Sequence, residues 1–156
     1  MRVRVIAVGT RMPAWVRSAC DEYLSRLRGQ LTVALTEIEP GPRRAAGGVR
    51  QALAAEGRRL LGALLPADHV VALDERGREL STRELAEWLG ARMQHGEDLA
   101  FVIGGPDGLA AEVLARSNFR LSLSRLTLPH ALARVLLSEQ LYRAHSILAH
   151  HPYHRS

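Results

Sequence analysis

Five consecutive apolar residues, Leu99-Ala-Phe-Val-Ile103, run straight into the turn Gly104-Gly-Pro-Asp-Gly108. A strand with no polar face needs cover on both sides, and helices on the two faces of a parallel sheet supply it. The chain's opening makes the same demand: Arg2-Val-Arg-Val5 alternates, and Ile6-Ala-Val8 then stays apolar until Gly9. A second strand-to-turn edge follows the first closely, in Leu121-Ser-Leu-Ser-Arg-Leu-Thr-Leu-Pro-His130. Two such edges within about thirty residues predict two loops that meet over one ligand.

The remaining segments alternate between the two periods. Pro13 opens a helix on which Trp15, Val16, Ala19, Tyr23, Leu24 and Leu27 keep helical spacing until Gly29. Leu31 to Ile38 reads as a second strand. Val49 to Leu65 reads as a helix with Leu53, Leu60, Leu61 and Leu64 inward. His69-Val-Val-Ala-Leu73 is a third strand, closed by a turn at Asp74-Glu-Arg-Gly77. Ser81-Thr-Arg-Glu84 has the form of a capping box, opening a helix that ends near Gly96. Leu109 to Arg116 is a short helix, Phe119 to Leu123 a fifth strand, and His130 to Ala149 a long final helix. The pattern predicts one α/β domain over residues 1–156, with a mostly parallel sheet flanked by helices.

With 156 residues, of which 47% are hydrophobic, the chain has material for an ordinary core. A single cysteine, Cys20, excludes an internal disulfide. No apolar stretch approaches the roughly 18 residues of a membrane span. The first residues enter a strand without the apolar segment of a signal peptide, so a cytoplasmic location and no membrane partner are expected. A net charge of +5, carried by 21 basic residues that are all arginine, favours a polyanionic partner. Guanidinium groups suit bidentate phosphate contacts and stacking on bases. Arginine and alanine richness is also what a GC-rich coding sequence produces, so charge favours nucleic acid without establishing it. The basic segment 39–48 reads either as a solvated linker or as a phosphate-contacting arm.

The glycine turn lacks the G-x-G-x-x-G and lysine-bearing phosphate-loop patterns, and Pro106 removes one donor N–H. A plain tight turn and a nucleotide-type pocket both remain open. On the final helix Leu132, Val135, Leu136, Tyr142 and Ile147 share one face, while Leu137, Leu141, Ala144 and Leu148 share nearly the opposite one. Two apolar stripes mean burial on both sides, which in so small a chain points to a homodimer, with a helix wholly internal to one chain as the alternative. Glu139 and Arg143 lie four residues apart within the first stripe, as a self-satisfied pair or as the lining of a cleft. Four of the seven histidines fall at His145, His150, His151 and His154. No cysteine or carboxylate accompanies that run, so no metal site is expected there. The ending His150-His-Pro-Tyr-His-Arg-Ser156 reads either as an ordinary disordered tail or as a set of an aromatic face, an imidazole and a guanidinium, groups that stack on and position a base. No Ser-His-Asp or Cys-His order stands out, which leaves covalent hydrolysis without support.

Ala7-Val-Gly-Thr-Arg-Met-Pro-Ala-Trp-Val16, Ile103-Gly-Gly-Pro-Asp-Gly108, Leu121 to His130, Leu141-Tyr-Arg-Ala144 and His151-Pro-Tyr-His-Arg155 together resemble the RlmH family. These are small bacterial methyltransferases of large-subunit ribosomal RNA, within the SPOUT, or trefoil-knot, superfamily. The resemblance covers essentially the whole chain. It implies a deep C-terminal trefoil knot over about residues 70–150, a fold that pattern reading does not propose. It implies S-adenosylmethionine as cofactor, held by Leu73, Gly104, Leu123, Ser124, Arg125, Leu126, Thr127 and Leu128. It implies a homodimer packed through the last helix, acting on N3 of a pseudouridine in the 23S rRNA of the ribosome. Arg143, Tyr153, His154 and Arg155 would serve the acceptor, with the tail (150–156) supplied by the partner subunit. His154 would act as base, and Arg155 or Arg143 as electrostatic stabiliser. His130 matches the family motif without an assigned role. Segment 39–48 departs from the family's more lysine-rich pattern, and the departures leave the cofactor motif unaltered.

Overall fold

Leu99–Ile103 forms the central strand of a five-stranded sheet, and all five of its residues are buried. The computed structural model describes residues 1–44 and 47–155. Ala45 and Ala46 of the basic segment, and Ser156 of the tail, lie outside the described residues. The elements in chain order are β1 (Arg2–Val8), α1 (Ala14–Ser25), β2 (Thr32–Ile38), α2 (Gly48–Ala63), β3 (His69–Glu79), α3 (Thr82–Gln94), β4 (Leu99–Ile103), α4 (Ala111–Arg116), β5 (Phe119–Ser122) and α5 (His130–Leu148). Every strand pairing is parallel and the order across the sheet is β2-β1-β4-β3-β5.

Strand periodicity divides the core in two. Val3, Val5 and Ala7 lie in register beside Leu99, Phe101 and Ile103, and face Leu24 of α1, Leu85 and Leu89 of α3, and Leu137 and Leu141 of α5. Ile6, Val8, Ala100 and Val102 face the other way, onto Leu60 of α2 and Val113 of α4. Burying one such Leu, Ile or Phe side chain contributes about 1.5–3 kcal/mol. The connections β1 to β2 and β3 to β4 step one way across the sheet over the first face. Those from β2 to β3 and β4 to β5 step the other way over the second, so a single crossover hand is kept throughout.

Two expectations change, those for the end of β3 and for the inward face of α2. Asp74–Gly77 does not end β3; the strand continues to Glu79, and its register against β5 shifts between Leu73 and Arg78, both of which pair with Leu121. A four-residue excursion is thereby set into the strand beside the site described below. On α2 the buried face is Ala52, Glu56, Gly57 and Leu60, whereas Leu53, Leu61 and Leu64 are only half-buried. A pattern count cannot anticipate a buried glutamate, because Glu56 is held by partners outside the helix. On α5 one stripe, Leu137, Leu141 and Ala144, is buried against this chain's own core. The other, Leu132, Val135, Leu136, Tyr142 and Ile147, is left half-buried. Among the described residues no helix is long and apolar enough to cross a membrane.

Candidate functional site

The chain leaves β3 for α3 on one face of the sheet and leaves β4 for α4 on the other. A crevice opens where neighbouring strands part in this way, outside their carboxyl ends. Here it is a cavity of about 940 Å³, walled by Leu73 to Arg76 in the excursion within β3, by Ile103 to Leu109 at and beyond the end of β4, and by Arg120 to Ser124 and Leu126 to His130 around the end of β5. That is the size of a pocket for a small molecule or cofactor. The two loops foreseen from the sequence do meet, and a third segment, Asp74–Arg76, joins them. Sequence reasoning missed this third wall because Asp74-Glu-Arg-Gly77 has the composition of an ordinary turn.

Backbone close approach fixes the shape of each wall. A methyl group on Gly104 would collide with the carbonyl of Gly108, so the turn closes only with glycine there. Gly77 is pressed against the backbone of β5, where a Cβ would stand 2.7 Å from the carbonyl carbon of Arg120. Both serines of the wall around the end of β5 are spent on folding it: Ser122 Oγ donates to the Ser124 carbonyl at 2.9 Å, and Ser124 Oγ accepts the Leu126 N–H at 2.9 Å. Leu73, Leu109, Leu121, Leu123 and Leu128 supply apolar surface, while Asp74, Glu75, Asp107, Arg76 and Arg120 supply charge near it. Leu126 is 74% exposed, a large apolar side chain at the mouth.

Of the eight residues expected at a cofactor, Leu73, Gly104, Leu123, Ser124, Leu126, Thr127 and Leu128 line this cavity. Arg125 is exposed and is not among the lining residues. His130, the first residue of α5, also lines it. Burial, and then the nearby Arg134 and Arg43 guanidinium groups, push its imidazole below the ordinary value and so favour the neutral ring.

The residues expected at the acceptor gather elsewhere, against α5. Arg143 Nε donates to Glu139 Oε1 at 2.9 Å, and Tyr153 Oη donates to the same oxygen at 3.2 Å. The Arg143 guanidinium lies 4.8 Å from the centroid of the Tyr153 ring, which is tilted on Tyr142 at 4.6 Å. Arg143 Nη1 stands 3.4 Å from His154 Nδ1. His154 Nε2 is buried with no hydrogen-bond partner among the described residues. Of the two readings of Glu139 and Arg143, the paired one is what the structure shows, with Tyr153 and Tyr142 packed around the pair. Burial is the main cause that raises the Tyr153 phenol, with the Glu139 carboxylate adding to it. Arg155 stands exposed, and no described residue of the tail lines the cavity of the same chain.

A family model described as a predicted SPOUT methyltransferase matches residues 1–154. Proteins named ribosomal RNA large subunit methyltransferase H from Burkholderia mallei and Burkholderia pseudomallei are each 48% identical over 156 residues, covering 100% of both chains. The protein of that name from Burkholderia ambifaria is 47% identical over the same span. Among solved structures, a probable methyltransferase from Bordetella pertussis superposes with a TM-score of 0.59 at 19% identity, covering 92% of this chain and 93% of the other. A probable methylase family protein from Haemophilus influenzae gives 0.56 at 16% identity, covering 99% and 70%. The structures speak for the fold and the full-length relatives for the family: the chain belongs to the SPOUT methyltransferases and, within them, to the ribosomal RNA large subunit methyltransferase H family.

Proposed function

We propose that this rRNA methyltransferase takes its methyl group from S-adenosylmethionine and places it on N3 of a pseudouridine in 23S rRNA, as a homodimer. The observation that carries the reading is the cavity between the excursion in β3 and the ends of β4 and β5, where seven of the eight residues expected at the cofactor meet. Its leucine-lined walls suit an adenine ring and a methionine chain. The backbone edges of the glycine turn and of Leu123 to Leu128 offer N–H and C=O groups for the polar ends. The resemblance adds the trefoil threading of the family, and the loops that line the cavity are the ones such threading would bring together.

When bound, S-adenosylmethionine supplies an electrophilic methyl on a sulfonium. The chain's own work is to hold the acceptor base and to manage its charge. As N3 loses its proton, negative charge spreads over the ring, and a nearby guanidinium stabilises it. Arg143 is already paired with Glu139, so Arg155, exposed on the tail, is the cation with more to offer. Tyr153, held by Glu139 and Arg143, presents a face for stacking. His154 serves as base on release of its imidazole from Arg143, which stands 3.4 Å from Nδ1, at the long end of hydrogen bonding. The tail would reach the methyl donor across the two-fold axis of a dimer built on the half-buried stripe of α5.

Two measurements test this together. Calorimetric titration with S-adenosylmethionine is expected to give one site per chain. Mass spectrometry of 23S rRNA from a strain lacking the gene is expected to show one pseudouridine without its methyl group. Absence of binding would overturn the cofactor, and an unchanged modification pattern would overturn the substrate.

A further inference from the structure

The 39–48 segment does not stand apart from the cavity. Arg43 turns inward and its guanidinium is shared between two carboxylates of different elements. Nη1 and Nη2 donate to Glu56 Oε2 and Oε1 at 2.8 and 3.2 Å, and Nε donates to Asp107 Oδ2 at 2.7 Å. Glu56, on α2, is only 2% exposed and also accepts the Gly41 N–H at 2.9 Å. Asp107 belongs to the glycine turn and lines the cavity. The turn itself lies against this pair: a Cβ on Gly105 would stand 3.6 Å from Arg43 Nη2 and 3.7 Å from Glu56 Oε1. Hydrogen bonds to both carboxylates raise the Arg43 guanidinium further, Glu56 contributing most.

We propose that Arg43 is a positioning residue for the methyl-donor pocket, tying the glycine turn through Asp107 to the buried carboxylate of Glu56. This rests on the proposed function above. A segment rich in glycine has much conformational freedom to lose, and ordering it at the moment of binding costs affinity. Arg43 removes part of that freedom beforehand. A planar fork is needed to reach two carboxylates along two edges, which a lysine ammonium does not provide. The same arginine thereby gives α2, Gly41 and the wall facing the donor one fixed point.

The test is Arg43→Lys, which leaves a positive charge beside Glu56 but cannot fork to Asp107. Should that variant fail to melt cooperatively, the double substitution Arg43→Gln with Glu56→Gln replaces the buried ion pair by a neutral hydrogen-bonded one. Hydrogen exchange of the amides in 104–109 is expected to speed up about tenfold without ligand, and the Kd for S-adenosylmethionine to rise about tenfold, the scale of a lost charge-assisted hydrogen bond. Wild-type exchange in the turn, with or without weaker binding, overturns the proposal, as does faster exchange with an unchanged Kd. A wild-type protein that takes up no S-adenosylmethionine fails the underlying reading, and is told apart because the wild-type titration is then itself flat.

Discussion

Arg134 is the largest side chain among those fully buried in the described residues, at 1% exposure. Its Nη2 donates to the carbonyls of Val8 and Gly9 at 3.1 and 2.7 Å, and its Nη1 to Glu37 Oε2 at 2.7 Å. One guanidinium therefore joins the carboxyl ends of β1 and β2 to the first turns of α5, close to where His130 meets the cavity. The Gly9 carbonyl it holds belongs to a residue at φ 122, a conformation that glycine adopts freely. Arg134→Met keeps the length of the stem but strips two carbonyls and a carboxylate of their donor. The expected loss is about 3 kcal/mol in urea unfolding, reduced from the full cost of an orphaned buried charge because Glu37 keeps some access to water. A loss under about 1 kcal/mol would show that solvent replaces the guanidinium. None of this was legible in the sequence. The acceptors stand 97 to 126 positions away, and a helical arginine reads as a solvated one until the fold brings them to it. Glu56 and Arg43 escaped notice for the same reason.

Elements follow local rules, and there the sequence is a better guide. Apart from the far end of β3, each helix and strand was legible to within a few residues, because periods of 3.6 and 2 and the caps between them are properties of neighbouring side chains. At α3 the reading holds atom by atom: Glu84 N–H donates to Ser81 Oγ at 3.1 Å, and Ser81 N–H donates to Glu84 Oε2 at 2.6 Å. Ser81→Ala removes the first of these and is expected to cost about 1 kcal/mol by thermal or urea denaturation. Because Leu85 and Leu89 of the same helix fill the core, the melt should stay cooperative and simply shift downward. No shift would mean that water caps the helix equally well. The β3 excursion was not legible. Residues 74–77 have turn composition, and only pairing of Leu121 with both Leu73 and Arg78 makes them an irregularity inside a strand. Local chemistry could not announce a wall of the cavity built in that way.

At the scale of the whole molecule, the seven lining residues and the acceptor cluster sit in different places on one chain. The cavity holds none of Arg143, Tyr153, His154 or Arg155, while the stripe Leu132, Val135, Leu136, Tyr142 and Ile147 is left half-buried. A two-fold dimer through α5 would resolve both features at once, covering the stripe and bringing each tail to the other subunit's cavity, since every contact in such an interface is made twice. The arrangement predicts complementation. Gly104→Ala drives a methyl group into the Gly108 carbonyl and should abolish cofactor binding. His154→Ala should leave cofactor binding intact and abolish methyl transfer. Each variant alone is then an inactive homodimer. In a heterodimer of the two, purified by a different tag on each chain, one cavity is intact and faces an intact tail, while the other cavity and the other tail are both defective. Activity on ribosomal RNA is expected at about half that of the wild-type dimer, because one of two equivalent sites is restored. A site completed within a single chain would instead leave the heterodimer as inactive as its parents. That outcome would send the tail back to its own chain's cavity and remove the need for the dimer in catalysis.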